Sequence, residues 1–288
     1  MKKSSYYQKV EGDVVECLLC PHHCRIADGK SGICKSRRNY SGALYSLVYG
    51  CPVAVAIDPI EKKPLYHFHP GTKCLSLACT GCNLRCLHCQ NHDISQISPE
   101  QEECYRISPQ QLVDICVSQG IPGIAYTYTE PLTYIEYVSD CAKLAHEHRL
   151  WNILVTAGYV EEDPLNDLIP YIDAANIDLK YFSDERYQKV SGAHLDVVLR
   201  TILTMHKAGV WIELTNLIIP GVNDDMEMIR QMCQWIVTNG MAEVPLHLSR
   251  FFPHYKMIQT PPTPISTLQQ AKDIAISEGI FHVHLGNV

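Results

Sequence analysis

The fold of this chain is decided by the stretch Thr80-Gly81-Cys82-Asn83-Leu84-Arg85-Cys86-Leu87-His88-Cys89-Gln90-Asn91. Its three cysteines have the spacing C-x3-C-x2-C, and the stretch follows directly after a predicted strand. Three thiolates so close together can wrap one corner of a 4Fe-4S cluster. Because electron carriers with such a cluster use four cysteines, one iron is then open to an exogenous ligand. We therefore interpret Cys82, Cys86 and Cys89 as metal-ligating and catalytic residues.

A zinc site is the alternative for these cysteines. Zinc takes four ligands at the corners of a tetrahedron, and His88 or His92 could supply the fourth. The chain would then be a non-catalytic scaffold whose cysteine sites serve folding or partner binding. The spacing leaves both interpretations open, and the position after the first strand of a β/α series favours the catalytic one.

The chain beyond Leu75 alternates short apolar runs with longer stretches whose apolar residues have helical spacing. This alternation is typical of a parallel sheet with crossover helices. The predicted strands are Cys74 to Cys79, Gly123 to Tyr128, Asn152 to Thr156, Ala174 to Leu179, Trp211 to Ile219, Pro245 to Ser249 and Phe281 to Leu285. The predicted helices are Pro109 to Gln119, Leu132 to His148, Leu195 to Ala208, Met226 to Val237 and Ile265 to Glu278. The sequence thus predicts an α/β fold, a partial (β/α)6 TIM-type barrel.

Barrel enzymes carry their working residues at the carboxyl ends of the strands. Polar side chains follow, or lie late in, five of the predicted strands, namely Cys82, Glu130, Thr156, Lys180 and His247. This placement predicts that they share one site. The alternative for Lys180 is a solvated surface lysine, and for His247 it is a satisfied core histidine.

The first 73 residues contain only short apolar runs and many cysteines. We interpret them as an N-terminal extension to a core that spans residues 74–288. A hairpin is predicted around Ala43 to Ile57. The extension contains a C-x2-C-x3-C-x9-C set, which consists of Cys17, Cys20, Cys24 and Cys34. Such a set can bind zinc or a second iron-sulfur cluster, and His22 or His23 could replace one cysteine. The metal would stabilise the extension or relay electrons.

The chain has 14 cysteines, 10 of them between Cys17 and Cys89. A reducing cytoplasm does not use cysteines as disulfides, so we expect metal sites. The other four have apolar neighbours and are predicted to be small core residues. They are Cys104, Cys116, Cys141 and Cys233.

The charge and hydropathy pattern argue against two classes of partner. The net charge is -7, and the chain lacks the basic and aromatic stripe of a nucleic-acid interface, which disfavours RNA modification. No leader pattern and no run of about 18 apolar residues is present. We expect a cytoplasmic protein with no nucleic-acid or membrane partner.

The cysteine stretch resembles the radical S-adenosylmethionine (SAM) superfamily, and within it the pyruvate formate-lyase activating enzymes and other activators of glycyl radical enzymes, which share the form C-x3-C-x2-C-x-N. The resemblance covers roughly residues 75–255. It implies that SAM binds the open iron and that an electron from the cluster cleaves it to a 5'-deoxyadenosyl radical, which abstracts hydrogen from a substrate. It also implies a reductant such as flavodoxin or ferredoxin.

The same resemblance implies the contacts to SAM. The segment Thr127 to Pro131 matches the family's segment for the amino group, and Ile177-Asp178-Leu179-Lys180 matches an Asp-Leu-Lys motif whose lysine pairs with the carboxylate. The run Leu217 to Gly221 is similar to the strand facing the adenine. Val155 and Ala157 depart from an Asp-Thr-Asn-Gly motif. The candidate cofactor-binding residues are His88, Tyr128, Thr129, Glu130, Thr156, Asp178, Lys180, Leu217 and His247.

A wider set of motifs resembles the AmmeMemoRadiSam system radical SAM enzymes. They are Cys17-Leu18-Leu19-Cys20-Pro21-His22-His23-Cys24, Asp58 to Phe68, Cys89-Gln90-Asn91, Ala125 to Pro131, Ser249 to Pro253 and Gly286-Asn287. This likeness implies Memo-like and AmmeCR-like proteins, or a protein substrate, as partners. It does not settle the substrate.

The segment Asp58 to His69 is polar for a hairpin beside a strand end, so we predict that it lines the substrate mouth. A solvated hairpin with Tyr66 and Phe68 packed inward is the alternative. Tyr128, nearer the strand's carboxyl end than Tyr126, is expected to point into the barrel. The candidate substrate residues are Glu61, Lys63, Tyr66, His67 and Arg250.

Overall fold

The computed structural model describes residues 1–288, and an eight-stranded sheet forms its centre. The strands of the protein, β1 to β14, are Lys2–Lys3, Tyr7–Glu11, Val14–Cys17, Arg25–Ile26, Arg37–Tyr40, Ala43–Ser46, Pro52–Pro59, Lys73–Cys79, Gly123–Tyr126, Trp151–Thr156, Ala174–Asp178, Trp211–Ile218, Leu246–Arg250 and Val283–Gly286. The α-helices, α1 to α8, are His92–Ser95, Pro109–Gln119, Ile135–Glu147, Glu162–Leu168, Asp184–Arg186, Leu195–Lys207, Met226–Thr238 and Ile265–Ser277. No helix is long and apolar enough to cross a membrane.

The central sheet runs from β7 to β14 in chain order. Strands β8 to β14 are parallel to their neighbours, and β7 is antiparallel to β8. The two edge strands do not pair with each other, so the barrel is open. The crossover helices are α2, α3, α4, α6, α7 and α8. This confirms the predicted α/β fold with a partial barrel of six β/α units.

The ends of two elements follow from local chemistry. Helix α2 begins after Ser108, whose hydroxyl accepts from the Gln111 amide in a capping box, and ends at Gly120 with φ of 62°. Strand β9 ends at Tyr126, two residues earlier than predicted, because Tyr128 has a left-handed φ of 64°. The short helix α4, with Pro164 in its first turn, was not predicted.

The hairpin predicted around Ala43 to Ile57 is wrong. Strand β6 instead forms a hairpin with β5, and β7 joins the central sheet through β8. The β5–β6 turn has two residues, Ser41 and Gly42, with φ of 48° and 76°. Two positive φ values are what a tight two-residue hairpin requires, so this turn sets the pairing.

The expectation of no disulfides is also wrong, as is the core position predicted for Cys104. Cys51 and Cys104 form a disulfide with Cα atoms 5.2 Å apart. Backbone hydrogen bonds hold the two segments side by side, from Tyr105 to Pro52 and from Ile107 to Gly50. The other three distal cysteines are fully buried in the core, as predicted, at Cys116, Cys141 and Cys233.

A buried ion pair joins the N-terminal residues to the barrel. The Arg37 guanidinium contacts both carboxylate oxygens of Glu136 on α3, at 2.9 and 2.6 Å, and both side chains are at most 2% exposed. Its Nε also donates to the Thr133 carbonyl. The pair satisfies both charges, and loss of one partner would leave the other charge buried alone.

We expect the substitution Glu136→Ala to lower the free energy of unfolding by about 3–5 kcal/mol, because it leaves the buried Arg37 charge without a partner. Urea denaturation followed by far-UV circular dichroism measures this loss. The control is Glu100→Ala, which removes the half-exposed partner of Arg38 and should cost only about 0–1 kcal/mol. Equal losses in the two variants would contradict a structural role for the buried pair.

Candidate active site

The loop that carries the three cysteines follows β8 at the carboxyl end of the sheet. It is held by backbone hydrogen bonds from Arg85 to Ser191, 2.8 Å, and from Leu87 to Val190, 3.0 Å, both on the π-helical turn after α5. Gly81 opens the loop with φ of 106°, and a Cβ there would lie 2.4 Å from the Cys34 carbonyl oxygen. A glycine is therefore required where the loop packs on the N-terminal residues.

The three thiols line a single cavity of about 640 Å³. Their sulfur atoms have polar neighbours: Ser191 Oγ lies 3.1 Å from Cys86 Sγ, and Ser95 Oγ lies 3.2 Å from Cys89 Sγ. The Leu84 amide donates to Cys82 Sγ at 3.3 Å. Hydrogen bonds of this kind stabilise metal-bound thiolates and tune an iron-sulfur centre.

The spread of the sulfur atoms fits a cluster better than a single ion. Tetrahedral zinc, with Zn–S of about 2.3 Å, would bring the sulfur atoms to about 3.8 Å from one another. The three cysteines do not form a group within 4.8 Å, either alone or with a histidine. His88 lies with Nδ1 3.3 Å from the Tyr181 hydroxyl, and His92 stacks on Tyr255. In this arrangement neither histidine joins the three sulfur atoms in a group with zinc-like spacing.

Burial opposes the ionisation of two of the three thiols, Cys82 and Cys86. It raises the pKa of both Cys82 and Cys86, and for Cys86 the Lys180 ammonium opposes the shift. It also lowers the pKa of His88 to about 3, so the imidazole is neutral. A cation beside Cys82 and Cys86 favours their ionised forms, and bound iron would provide such a cation.

Glu130 links two strand ends at the cavity wall. Its carboxylate accepts from Thr156 Oγ1 at 2.6 Å, from the Ala157 amide at 2.8 Å and from the Leu132 amide at 3.1 Å. Burial raises the pKa of Glu130, and these three hydrogen bonds oppose that shift. The carboxylate is thus held in one orientation at the ends of β9 and β10.

Lys180 points into the cavity and not into solvent, so the surface alternative is wrong. Its side chain is 14% exposed, and Nζ donates to Asp178 Oδ2 at 2.7 Å. Burial opposes its charge, but Asp178 and the Cys86 thiol outweigh it and hold the pKa of Lys180 well above its usual value. The cavity therefore contains a fixed positive charge close to Cys86.

Tyr128 connects the cysteine loop to the end of β7. Its carbonyl accepts from Asn91 Nδ2 at 2.7 Å, and its hydroxyl donates to Asp58. Its side chain lines the cavity, whereas Tyr126 is fully buried with its hydroxyl on Asn152. This matches the expectation that Tyr128, and not Tyr126, faces the inside of the barrel.

The segment after β7 was predicted to line the substrate mouth. It instead closes the opposite end of the barrel and forms the floor of the cavity. The amides of Tyr66 and His67 donate to the Glu213 carboxylate at 3.0 and 2.8 Å, near the start of β12. His247 Nε2 lies 2.7 Å from the same carboxylate. His247 is the second residue of β13, so the prediction that it lies late in its strand is wrong. It is a satisfied buried histidine that also lines the cavity.

Glu213 was missed by the sequence analysis, although a charged residue within an apolar strand was a visible signal. It is fully buried. Burial raises its pKa, but the hydrogen bonds from His247, Tyr66 and His67 outweigh this and give a net lowering. Glu213 therefore stays ionised and anchors the floor.

Three of the five candidate substrate residues do not line the cavity. Lys63 is fully buried in an ion pair with Asp58 at 2.7 Å. His67 Nε2 lies 2.8 Å from His284 Nε2, and Arg250 Nε donates to the Thr263 carbonyl. These protein partners draw the side chains away from the cavity. The remaining two, Glu61 and Tyr66, do line it.

All the other candidate residues of the barrel converge. One cavity is lined by Cys82, Cys86, His88, Cys89, Tyr128, Thr129, Glu130, Thr156, Asp178, Lys180, Leu217 and His247. A second, separate cavity of about 20 Å³ is lined by Cys17, Cys20, Cys24 and Cys34. Burial raises the pKa of Cys17 to about 11 and that of Cys20 to about 12.

Three thiols at the carboxyl end of the first parallel strand of an open barrel, above a large polar cavity, define a class of iron-sulfur enzyme. The sequence model of the Radical SAM superfamily matches residues 77–233. The chain belongs to the radical SAM superfamily, and membership implies a 4Fe-4S cluster and SAM.

Two relatives and one solved structure illustrate the relationship. An uncharacterized protein of Methanocaldococcus jannaschii is 44% identical over 288 residues, which cover 100% of this chain and 86% of that protein. Pyruvate formate-lyase 1-activating enzyme of Escherichia coli is 24% identical over 169 residues, 57% of this chain and 68% of that protein. SuiB of Streptococcus suis, bound to precursor peptide SuiA, shares the fold with a TM-score of 0.58 and 13% identity, over 74% of this chain and 49% of that one.

Glu213→Ala should loosen the floor of the cavity, because the amides of Tyr66 and His67 lose their acceptor. We expect their hydrogen-exchange protection to fall by about tenfold or more, equivalent to about 1–3 kcal/mol. Exchange measured by mass spectrometry on peptides that contain these amides reports the change. Glu61→Ala, which removes an exposed acceptor for Gly71, is the control. Unchanged exchange in Glu213→Ala would contradict the anchoring role.

Proposed function

We propose that this protein reductively cleaves SAM and abstracts a hydrogen atom from a polar substrate. The observation that carries the proposal is the single cavity that contains the three thiols, the Glu130 carboxylate and the Lys180 ammonium. When bound, the cluster supplies one electron to the sulfonium of SAM, and a carbon-sulfur bond breaks to give the 5'-deoxyadenosyl radical. The residues of the chain bind, orient and shield the reactants.

The cavity offers complementary groups for the two charged ends of the amino acid part of SAM. Glu130 and the backbone around it provide acceptors for the amino group, and Lys180 provides a positive charge for the carboxylate. Three hydrogen bonds fix Glu130, and Asp178 fixes Lys180, so both are oriented before SAM binds. Leu217 on β12 provides an apolar surface for the adenine side.

The substrate would lie between SAM and the floor. Glu61, Lys62, Tyr66, Thr215 and His247 line that part of the cavity. They offer both signs of charge together with hydroxyl and imidazole groups. This composition favours a polar substrate, and the closed floor orients it toward the cysteine loop.

Activation of a glycyl radical protein is the second candidate function. It is favoured by the likeness to the Escherichia coli activating enzyme, with 57% of this chain aligned. In that case the polar cavity would admit a glycine-bearing loop of a partner. Incubation with deuterated partner peptide distinguishes the two, because only this function moves deuterium from glycine into 5'-deoxyadenosine.

The finer assignment to the AmmeMemoRadiSam system is supported by the motifs quoted above. We propose a cytoplasmic protein that is reduced by flavodoxin or ferredoxin and works with Memo-like and AmmeCR-like proteins. Isothermal titration of the purified partners into the protein tests this. Lack of heat for both partners would contradict the assignment.

Cys86→Ala should reduce SAM cleavage to the detection limit, because one of three iron ligands is lost. The measurement is 5'-deoxyadenosine release after anaerobic reconstitution and reduction with dithionite. The control is the substitution Cys233→Ala. Cys233 is a core residue of α7, distant in sequence from the cysteine loop, so this variant should keep the activity. No release from wild-type protein with an intact, reduced cluster would favour the non-catalytic scaffold instead.

Lys180→Ala should weaken SAM binding by about 10- to 100-fold, since a hydrogen bond to a charged group contributes about 1.5–3 kcal/mol. Equilibrium binding of SAM to the reconstituted protein measures the change. Lys62→Ala, a lysine at the floor of the same cavity, should leave the SAM dissociation constant nearly unchanged. Equal effects of both substitutions would argue for a general charge effect and against a specific contact.

A further inference from the structure

We propose that Cys17, Cys20, Cys24 and Cys34 bind a second iron-sulfur cluster, of the cubane type, which delivers electrons to the active site. The four cysteines come from β3, from the loop after it and from the turn before β5, and they line one small cavity. The metal site is inferred from the arrangement of the four cysteines and does not depend on the proposed function. Its electron-delivering role rests on the function proposed above.

The size of the cavity favours a cluster over a single ion. Its volume of about 20 Å³ is enough for a water-sized sphere. Such a sphere, of about 1.4 Å radius, keeps the sulfur nuclei about 3 Å or more from its centre. In a tetrahedral zinc site the sulfur nuclei lie only about 2.3 Å from the centre, which leaves no such space.

The separation of the sulfur atoms agrees with this. No three of the four lie within 4.8 Å of one another, and no histidine or carboxylate joins them in a closer group. Sulfur atoms around zinc would be about 3.8 Å apart. Cys82, Cys86 and Cys89, the ligands of the superfamily's cluster, likewise form no group within 4.8 Å. Neither cysteine set therefore has the sulfur spacing of a zinc site.

The groups around the cavity suit a buried, negatively charged centre. The Ile33 amide donates to Cys24 Sγ at 3.5 Å, and Ser36 Oγ donates to Cys34 Sγ at 3.2 Å. The Arg37 guanidinium, fully charged through its pair with Glu136, lies in the cavity wall. Hydrogen bonds to sulfur and a nearby cation both stabilise thiolate ligands.

The second cavity lies against the cysteine loop of the active site. The Cys34 carbonyl packs on Gly81, directly before Cys82. Asn83, between Cys82 and Cys86, lines the small cavity, and its carbonyl is 2.8 Å from His22 Nε2. No element separates the two cysteine sets, so the loop residues 81–83 connect them directly.

The redox step moves one electron and no proton. A low-potential one-electron protein donor, of the flavodoxin or ferredoxin class, reduces the second cluster from the 2+ to the 1+ state. The electron then passes to the active site, and the second cluster returns to 2+. Each reductive cleavage of SAM draws one electron from the donor.

The identity of the metal is tested in the triple variant Cys82→Ala, Cys86→Ala, Cys89→Ala, which has no active-site ligands. Anaerobically purified and reconstituted full-length protein should contain about four irons and four sulfides per chain and no zinc. Further substitution of Cys24→Ser should remove this iron. One zinc per chain without iron would overturn the proposal. The result does not depend on SAM cleavage, so it stands apart from the test of the proposed function.

The electron-delivering role is tested in Cys24→Ser in the otherwise unchanged chain. Reduction of the remaining cluster by reduced flavodoxin, followed by stopped-flow absorbance, should slow severalfold, whereas reduction by dithionite should change little. An unchanged rate with flavodoxin would overturn the role. If Cys24→Ser does not fold, as judged by circular dichroism, the test is made by electron paramagnetic resonance (EPR) on the wild-type protein. Its two clusters should give separable EPR signals, and flavodoxin should reduce the second cluster first. The reverse order of reduction would overturn the role.

Discussion

Two thiols of the cysteine loop, Cys82 and Cys86, need a nearby cation if they are to carry negative charge together. Burial raises the pKa of Cys82 and Cys86, and the Lys180 ammonium opposes this shift at Cys86. Iron provides the missing charge, and a three-thiolate site leaves one iron open. Glu130 and Lys180, each fixed by protein partners, line the same cavity as the three thiols.

The open barrel encloses one cavity of about 640 Å³. The strands β8 to β14 place polar side chains at the carboxyl ends, and the segment after β7 closes the amino ends through Glu213. Tyr128 links the two ends, since its carbonyl binds the cysteine loop and its hydroxyl binds Asp58.

The sequence predicted most of the barrel, because its strands and helices have strong apolar periodicity and clear turns. It also predicted which residues of the barrel share the cavity, since strand ends meet at one edge of a parallel sheet. It did not predict the pairing of β7, because partners in a sheet depend on long-range contacts. The disulfide between Cys51 and Cys104 was missed for the same reason, and Lys63 and His67 are held by partners distant in sequence.

The proposed function requires that the open iron at Cys82, Cys86 and Cys89 binds SAM directly. The most direct measurement is electron nuclear double resonance on the reduced cluster, with SAM labelled by ¹⁵N in the amino group and ¹³C in the carboxylate. To remove the signal of the N-terminal set, the Cys24→Ser variant serves as a second sample. The account predicts strong coupling of both labels to the cluster. A cluster signal that SAM leaves unchanged, without coupling to either label, would contradict it.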